Sequence, residues 1–314
     1  MSKITIGSRK SKLAMWQTYY VQDKLNAAGI ETDIITMETK GDKVLNTSIA
    51  KIGSKGVFTE ELEDQLADGT LDIAVHSAKD MPSLLPDGFE LIAFTDREKA
   101  NDVVVSHNPG LCLEDTGKKI VLGTSSVRRR ALLALHYPHI ETVDIRGNLQ
   151  TRIKKMKEGL CDGIMLAYAG VHRMEYEDLI VHTFPEEQFV PPVGQGCVAI
   201  EAAGGLSAEK RKLVRSCLNN AESEARLLAE RGFLRKLEGG CSIPAFALAT
   251  LNGDELTLTA GLVSLDGQKK ISATQSGPKA EAQRIGTELG TKILADGAKE
   301  LLAEIRSQQA EEGI

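Results

Sequence analysis

Apolar positions in the first two-thirds of the chain switch between two periods. Ile4 to Gly7 is a short apolar run and Thr32 to Met37 another, and both predict strands. Between them Leu13, Trp16, Tyr20 and Leu25 recur at helical spacing over 11–28, and Gly29 stops the helix. Phe58, Leu62 and Leu66 mark a second helix with Glu60 and Glu61 in its first turn, where acids suit the helix dipole. Leu71 to Val75 has the unbroken apolar character of a buried strand. A β-α-β series of this kind predicts a mostly parallel sheet with helices on both faces.

The layout then starts again. "ITIGSRKSKLAMWQ" (4–17) is matched by "IVLGTSSVRRRALLAL" (120–135): strand, glycine, hydroxyls, basic residues, helix. "IETDIITMETKGD" (30–42) has its counterpart in "IETVDIRGN" (140–148), and "LADGTLDIAVHSAKD" (66–80) in "MKEGLCDGIMLAYAG" (156–170). Two α/β domains of similar plan around a cleft are expected, with linkers near 95–102 and 190–196. The last third differs. A helix over 222–237 precedes three strand-like runs (245–251, 255–265, 268–276) separated by Asn252-Gly253 and Asp266-Gly267 turns. A long helical pattern from Pro278 to Ile305 follows, with a break near Gly297. The expected organisation is 1–98 with 197–217 as one α/β domain, 99–196 as a second, and 218–314 as an α+β domain with a small antiparallel three-stranded sheet.

Composition narrows the function. The chain has 314 residues, 26% charged, with a formal net charge of −6, which argues against a general nucleic-acid or membrane-surface binder. Aromatics at 4% are too few for a base-stacking platform. Five cysteines, an odd number without a C-x-x-C pair, fit free thiols in a reducing compartment. The N-terminal stretch lacks the apolar core of a signal peptide and no later run is long enough to span a bilayer, so a cytoplasmic location is expected.

Against this acidic background, basic residues gather after strands. In "GTSSVRRRALL", Thr124, Ser125 or Ser126 can cap the helix, and Arg128, Arg129 and Arg130 then occupy its first turn. Cations at that end are unfavourable by about 0.3–1 kcal/mol each when exposed. A local rule broken without visible compensation marks a candidate site, here for an anion; a solvated basic patch is the plain alternative. "SRKSKLA" repeats the anomaly with Arg9, Lys10 and Lys12; "RGNLQTR" adds Arg146 and Arg152, and "AGVHR" adds Arg173. In "HSAKDMP", Asp80 could steady developing positive charge, or form a salt bridge or a turn before Pro82; His76 could be a base, though a structural strand-end histidine is commoner. In the polar stretch before Phe58, Lys51 and Lys55 could close over an anion as part of a lid. "VGQGCVA" fits G-x-G-x-x-A, but no strand precedes it and no suitably placed acid follows, which counts against dinucleotide binding. His136 and His139 are too few for a metal site. "LEGGCSIPAF" puts Cys241 after two glycines and before a proline, a thiol presented in a loop rather than packed.

Taken in order, "SRKSKLAMWQ", "GDKVL", "GSKGVFTEELE", "HSAKDMP", "GTSSVRR", "RGNLQTR", "PPVGQG" and "LEGGCSIP" resemble the motifs of the porphobilinogen deaminase (hydroxymethylbilane synthase) family over nearly the whole chain. The resemblance implies two periplasmic-binding-protein-like domains and a third domain. It implies an enzyme of haem biosynthesis, expected to be a monomer, that joins four porphobilinogen units head to tail with loss of ammonia. It also implies a dipyrromethane cofactor on a thioether to Cys241, and Asp80 acting at pyrrole nitrogens. The matching positions for the cofactor are Ser77, Lys79, Thr124, Ser125, Ser126, Arg128, Arg129 and Arg146. Those for the substrate are Arg9, Ser11, Arg152 and Arg173, with Lys51, Lys55 and Phe58 as the possible lid; no metal, nucleic acid or membrane partner is implied. Arg130 falls outside the motif, and Cys197 stands where a small residue is usual, a second thiol that its apolar neighbours mark as packed. A solute-binding domain pair without chemistry is the main rival, but it leaves the G-G-C loop and the third domain unexplained. A nucleotide-dependent oxidoreductase is the other.

Overall fold

The computed structural model of the chain describes residues 3–38, 59–238 and 242–312. Two units divide the chain: Met1–Glu98 with Gly196–Ala225, and Lys99–Gln195 with Arg226–Ile314. The first unit runs β1 (Ile4–Arg9), α1 (Lys12–Ala27), β2 (Thr32–Met37), α2 (Glu60–Ala67), β3 (Ile73–Ser77), a 3₁₀ turn at Ala78–Asp80, and β4 (Phe89–Phe94). The second follows with β5 (Asp102–Val105), β6 (Ile120–Gly123), α3 (Val127–His136), β7 (Ile140–Val143), α4 (Leu149–Lys157), β8 (Gly163–Ala167), α5 (Tyr168–Arg173) and β9 (Ile180–Thr183). The chain then returns to the first unit with β10 (Val198–Ala203) and α6 (Ala208–Leu218). Last come α7 (Ala221–Lys236), β11 (Ala245–Asn252), β12 (Glu255–Val263), β13 (Lys270–Pro278), α8 (Ala282–Ile293) and α9 (Lys299–Glu312).

The internal repeat is real at the level of topology. The first sheet is ordered β2-β1-β3-β10-β4 and the second β7-β6-β8-β5-β9, so the two superpose strand for strand in plan. In each, the three strands of the β-α-β series are parallel, as the patterning predicts. In each, one strand is antiparallel to both its neighbours: β10 against β3 and β4, β5 against β8 and β9. These are the strands that enter directly after the chain passes at Glu98/Lys99 and Gln195/Gly196. No crossover helix precedes them to restore the parallel direction.

Burial follows the same plan. In the first unit Ile4, Ile6, Ile73, Val75, Val198 and Ile200 pack against Val21 and Leu25 of α1 and Val214 and Leu218 of α6. The opposite face packs Ala74 and Ala203 against Leu62 and Leu66 of α2. In the second unit α3 covers one face through Ala131, Leu132 and Leu133, and α4 the other through Ile153 and Met156.

The antiparallel sheet β11-β12-β13 matches the three predicted runs to within a few residues. Pro278 closes β13 rather than opening a helix, and as an edge-strand residue it loses no ladder bond. The predicted break at Gly297 is present: its φ of 105° lies in the region glycine tolerates, inside a π turn at Leu294–Ala298 between α8 and α9. Helices α7 and α8 approach through glycine. A Cβ on Gly286 would sit 2.8 Å from the Ala229 carbonyl carbon and 3.0 Å from the Phe233 nitrogen, and one on Gly232 would sit 2.8 Å from the Gln283 oxygen. Backbone cannot yield as a flexible side chain would. Gly286→Ala should therefore destabilise the protein by roughly 1–3 kcal/mol, measured as a lower urea midpoint at unchanged m-value.

Candidate active site

Every candidate side chain that lies in the described residues stands at or after the carboxyl end of a parallel strand, where open α/β sheets bind ligands. In the first unit Arg9 ends β1, and Ser11 caps α1 by accepting a hydrogen bond from the Ala14 N–H at 3.3 Å. Ser77 ends β3, and its hydroxyl accepts from the Gln17 amide at 2.9 Å. Lys79 and Asp80 lie in the 3₁₀ turn that follows. Asp80 is exposed, and no hydrogen bond or ion pair engages its carboxylate among the described residues. Arg9, Ser11, Gln17, His76, Ser77 and Asp80 together line a pocket of about 80 Å³. Gln17 is a site residue that its motif did not single out, because glutamine in a helix reads as a polar face.

In the second unit the hydroxyl run after β6 is committed to backbone. Ser126 caps α3, accepting from the Arg129 N–H at 3.4 Å. Thr124 Oγ1 accepts from the Ser126 N–H, and Ser125 Oγ bridges both the N–H and the carbonyl of Ile145. Arg146 follows β7, and Arg152 stands in the first turn of α4, its Nε donating to the Gly147 carbonyl at 2.8 Å. Arg173 ends α5, the short helix after β8. Arg9, Lys79, Arg146, Arg152 and Arg173 all have further interactions within the fold.

The compensation that the arginine run lacks in sequence is Asp102. This carboxylate is fully buried at the start of β5. Arg128 Nη2 donates to its Oδ2 at 2.6 Å; Arg129 Nε and Nη2 donate to its Oδ1 at 3.0 and 2.8 Å. Both Nη1 groups reach backbone: Arg128 Nη1 donates to the Val190 carbonyl, Arg129 Nη1 to that of Met165. Gln195 adds an amide bond to Asp102 at 3.0 Å and another to the Ala100 carbonyl. Burial alone would raise the Asp102 carboxyl; the charges of Arg128 and Arg129 and the bonds from Arg129 and Gln195 hold it well below the usual carboxylate range. Arg130, by contrast, is exposed and only 3.7 Å from Asp144, a surface pair worth little.

Two guanidinium groups against one carboxylate leave one positive charge over, and Arg128 Nε has no partner among the described residues. The donor set therefore fits a further carboxylate, the group an acetate- and propionate-bearing dipyrrole carries. The glycines of "VGQGCVA" belong to a turn rather than a nucleotide loop: the Gly194 N–H donates to Glu230, and Gly196 has φ of 92°. Cys197 is packed, 1% exposed with Sγ 3.1 Å from the Thr95 carbonyl oxygen. Burial also raises the Cys161 thiol. Cys241, Lys51, Lys55 and Phe58 lie outside the described residues.

Residues 4–210 match the family model described as porphobilinogen deaminase, dipyrromethane cofactor binding domain, and 225–295 match that of the porphobilinogen deaminase C-terminal domain. A porphobilinogen deaminase of Desulfosudis oleivorans is 65% identical over 98% of this chain and 99% of its own. The chain belongs to the porphobilinogen deaminase family. A second porphobilinogen deaminase, from Cytophaga hutchinsonii, is 52% identical over 96% of this chain and 97% of its own. Among solved structures, the periplasmic VFT2 domain of Bordetella pertussis BvgS is similar at 15% identity and a TM-score of 0.42, covering 68% of this chain and 86% of that one. As a member of the porphobilinogen deaminase family, the chain is an enzyme of tetrapyrrole synthesis with a dipyrromethane cofactor.

Asp102 lacks a motif, yet its signal is legible: an acid opening the all-apolar run "VVV" of a buried strand must find a partner. Asp102→Asn should cost roughly 3–5 kcal/mol, because it leaves two buried cations facing a neutral amide. Because the folded carboxyl titrates below its unfolded value, its contribution is complete above about pH 4 and fades as pH falls further. Urea midpoints of wild type and variant should differ by a constant amount from about pH 7 to about pH 5 and converge below about pH 4.

Proposed function

We propose that the chain joins four porphobilinogen units head to tail with loss of ammonia, releases hydroxymethylbilane, and holds its dipyrromethane through a thioether at Cys241. The observation that carries the reading is the pocket in which the carboxylate of Asp80, unengaged among the described residues, shares its walls with Arg9 and Ser11, in a chain of this family. Bound, the dipyrromethane supplies the nucleophilic pyrrole carbon to which each new unit is joined.

The protein's residues then divide the work by charge. Loss of ammonia from an aminomethylpyrrole leaves positive charge shared with the ring nitrogen. Asp80 lies just past a strand end with its carboxylate uncommitted among the described residues, so it can follow that charge and stabilise it as it develops. Arg9 and Ser11 in the first unit, and Arg152 and Arg173 in the second, are assigned to substrate carboxylates, since guanidinium forks match acetate and propionate groups bidentately. Arg128 and Arg129, pre-oriented by Asp102, are assigned with Arg146, Lys79, Ser77 and the hydroxyls of Thr124 and Ser126, whose oxygens accept from backbone while their protons can turn to a ligand, to the cofactor's acid groups; Ser125 gives its proton to the Ile145 carbonyl and shapes the loop instead. A thiolate at Cys241 suits the electrophilic carbon left when ammonia departs, which accounts for a cysteine as anchor.

The work is divided over three domains, 1–98 with 197–217, 99–196 and 218–314, a reading that three separate sheets support. The reading includes a cytoplasmic monomer whose partner is porphobilinogen, without nucleic acid, membrane or metal. Free thiols without a C-x-x-C pair support the reducing compartment. Among the described residues no helix is long and apolar enough to cross a membrane.

Intact-protein mass spectrometry tests the anchor: wild type should carry the added mass of two linked pyrroles, and Cys241→Ser should lack it. An unmodified wild-type protein would favour a binding module instead. Asp80→Ala should keep the fold and the added mass while turnover of porphobilinogen falls by about 100-fold or more, because only charge that develops during reaction loses its partner; unchanged turnover would remove Asp80 from the mechanism.

A further inference from the structure

Two acids and an imidazole are buried on one face of the first sheet, and the division of labour above uses none of them. Glu201 in β10 is fully buried, His76 in β3 is 6% exposed, and Glu63 in α2 is 7% exposed. Register explains the meeting. Ala199 lies opposite His76 and Glu201 opposite Ala74, so Glu201 and His76 are diagonal neighbours on the face that α2 covers. Ala74, Ala199 and Ala203 leave the space between them. His76 Nε2 lies 2.9 Å from Glu201 Oε2. The contact is close but not aligned as a hydrogen bond: His76 Nε2, both Glu201 oxygens and Glu63 Oε1 are buried without a hydrogen-bond partner among the described residues. Buried polar groups in this condition cost stability, which makes a purely structural cluster an expensive choice.

The imidazole also opens onto the candidate site, since His76 lines the same pocket as Asp80, with Thr59, the residue before α2. We propose that His76 is the proton acceptor of this pocket and that Glu201 is its positioning residue. The inference rests on the reading that porphobilinogen units are joined there.

For each unit joined, the C–N bond to ammonia breaks, a C–C bond forms between pyrroles, and one ring C–H bond breaks with its electron pair returning to the ring. Nothing is oxidised or reduced, but one proton must be taken up. With the carboxylate of Glu201 at Nε2, the neutral ring keeps its hydrogen there and offers Nδ1 as acceptor. The imidazolium so formed is paired with Glu201 and returns its proton to the departing ammonia as ammonium. The charged groups around the ring are Glu201 from β10, which contacts it, Glu63 from α2, which interacts with its charge and has Asp64 behind it, and Asp80 and Arg9, which line the same pocket. Burial raises the Glu63 carboxyl, and the charge of Glu201 raises it further.

The test uses the full-length enzyme with its cofactor content checked by mass. His76→Asn should lower kcat roughly 100-fold with KM little changed, and added imidazole should restore part of the loss. Glu201→Gln should move the acid limb of the kcat–pH profile to lower pH, because the imidazolium loses its counter-charge. The titration of the His76 ring proton in the NMR spectrum should move in the same direction. An unaltered kcat in His76→Asn overturns the proposal, as does an unmoved acid limb with an unmoved ring titration in Glu201→Gln. Loss of the dipyrrole or of native structure in both variants makes the pair structural and overturns it too. A wild-type protein that does not consume porphobilinogen sinks the underlying reading, and the base with it.

Discussion

A carboxylate without water around it can exist only where positive charge meets it, and two guanidinium groups pressed into a helix N-terminus can exist only where negative charge meets them. Asp102, Arg128 and Arg129 satisfy each other in this way. Their hydrogen bonds tie the start of β5 and the first turn of α3 to the backbone at Met165 and Val190, and Gln195 joins the same carboxylate. The pairing orients both guanidinium planes before any ligand arrives, which is how preorganisation lowers the cost of binding. It also leaves the cluster one positive charge in excess, an invitation to an acid group that a neutral cluster would not extend.

The first unit solves a different problem with the same sheet plan. Its strand ends present small and polar groups, Ser11, Ser77 and Asp80, beside Arg9, while the interior of the sheet hides an acid and an imidazole. The second unit buries its charge to hold cations still. The first leaves its strand-end carboxylate to respond to charge that appears only during reaction. A polymerisation that repeats one chemical step on a growing polyanion needs both behaviours, steady grip and responsive stabilisation.

Much of this was legible in the residues. The β-α-β order, the repeated layout, the three late strands and the break at Gly297 follow from hydrophobic period and turn chemistry, which are local. The antiparallel β5 and β10 were not legible, because strand direction depends on where the chain comes from, and periodicity carries no record of that. The arginine run was read as an uncompensated anomaly; its compensation lay 26 positions away in sequence, beyond any motif window. Glu201 could have been flagged by the same logic as Asp102, a lone acid inside "VAIEAA", since an apolar strand does not carry a charge idly. The G-G-C loop and the lysines of the polar stretch are legible only as motifs, and their structural account lies outside the described residues.

The place of β10 in the first sheet has a consequence for how the chain comes into being. That sheet cannot be completed by its N-terminal portion: β4 has no neighbour until residues 198–203 leave the ribosome, although β1 to β3 emerged more than a hundred residues before. The second unit's five-stranded sheet, by contrast, is drawn from one unbroken stretch between Asp102 and Thr183. The usual order, in which the first-made domain matures first, is thereby inverted. The earliest-synthesised strands wait with an open edge while a later module closes, and that interval is when the nascent polypeptide most needs shelter from its neighbours.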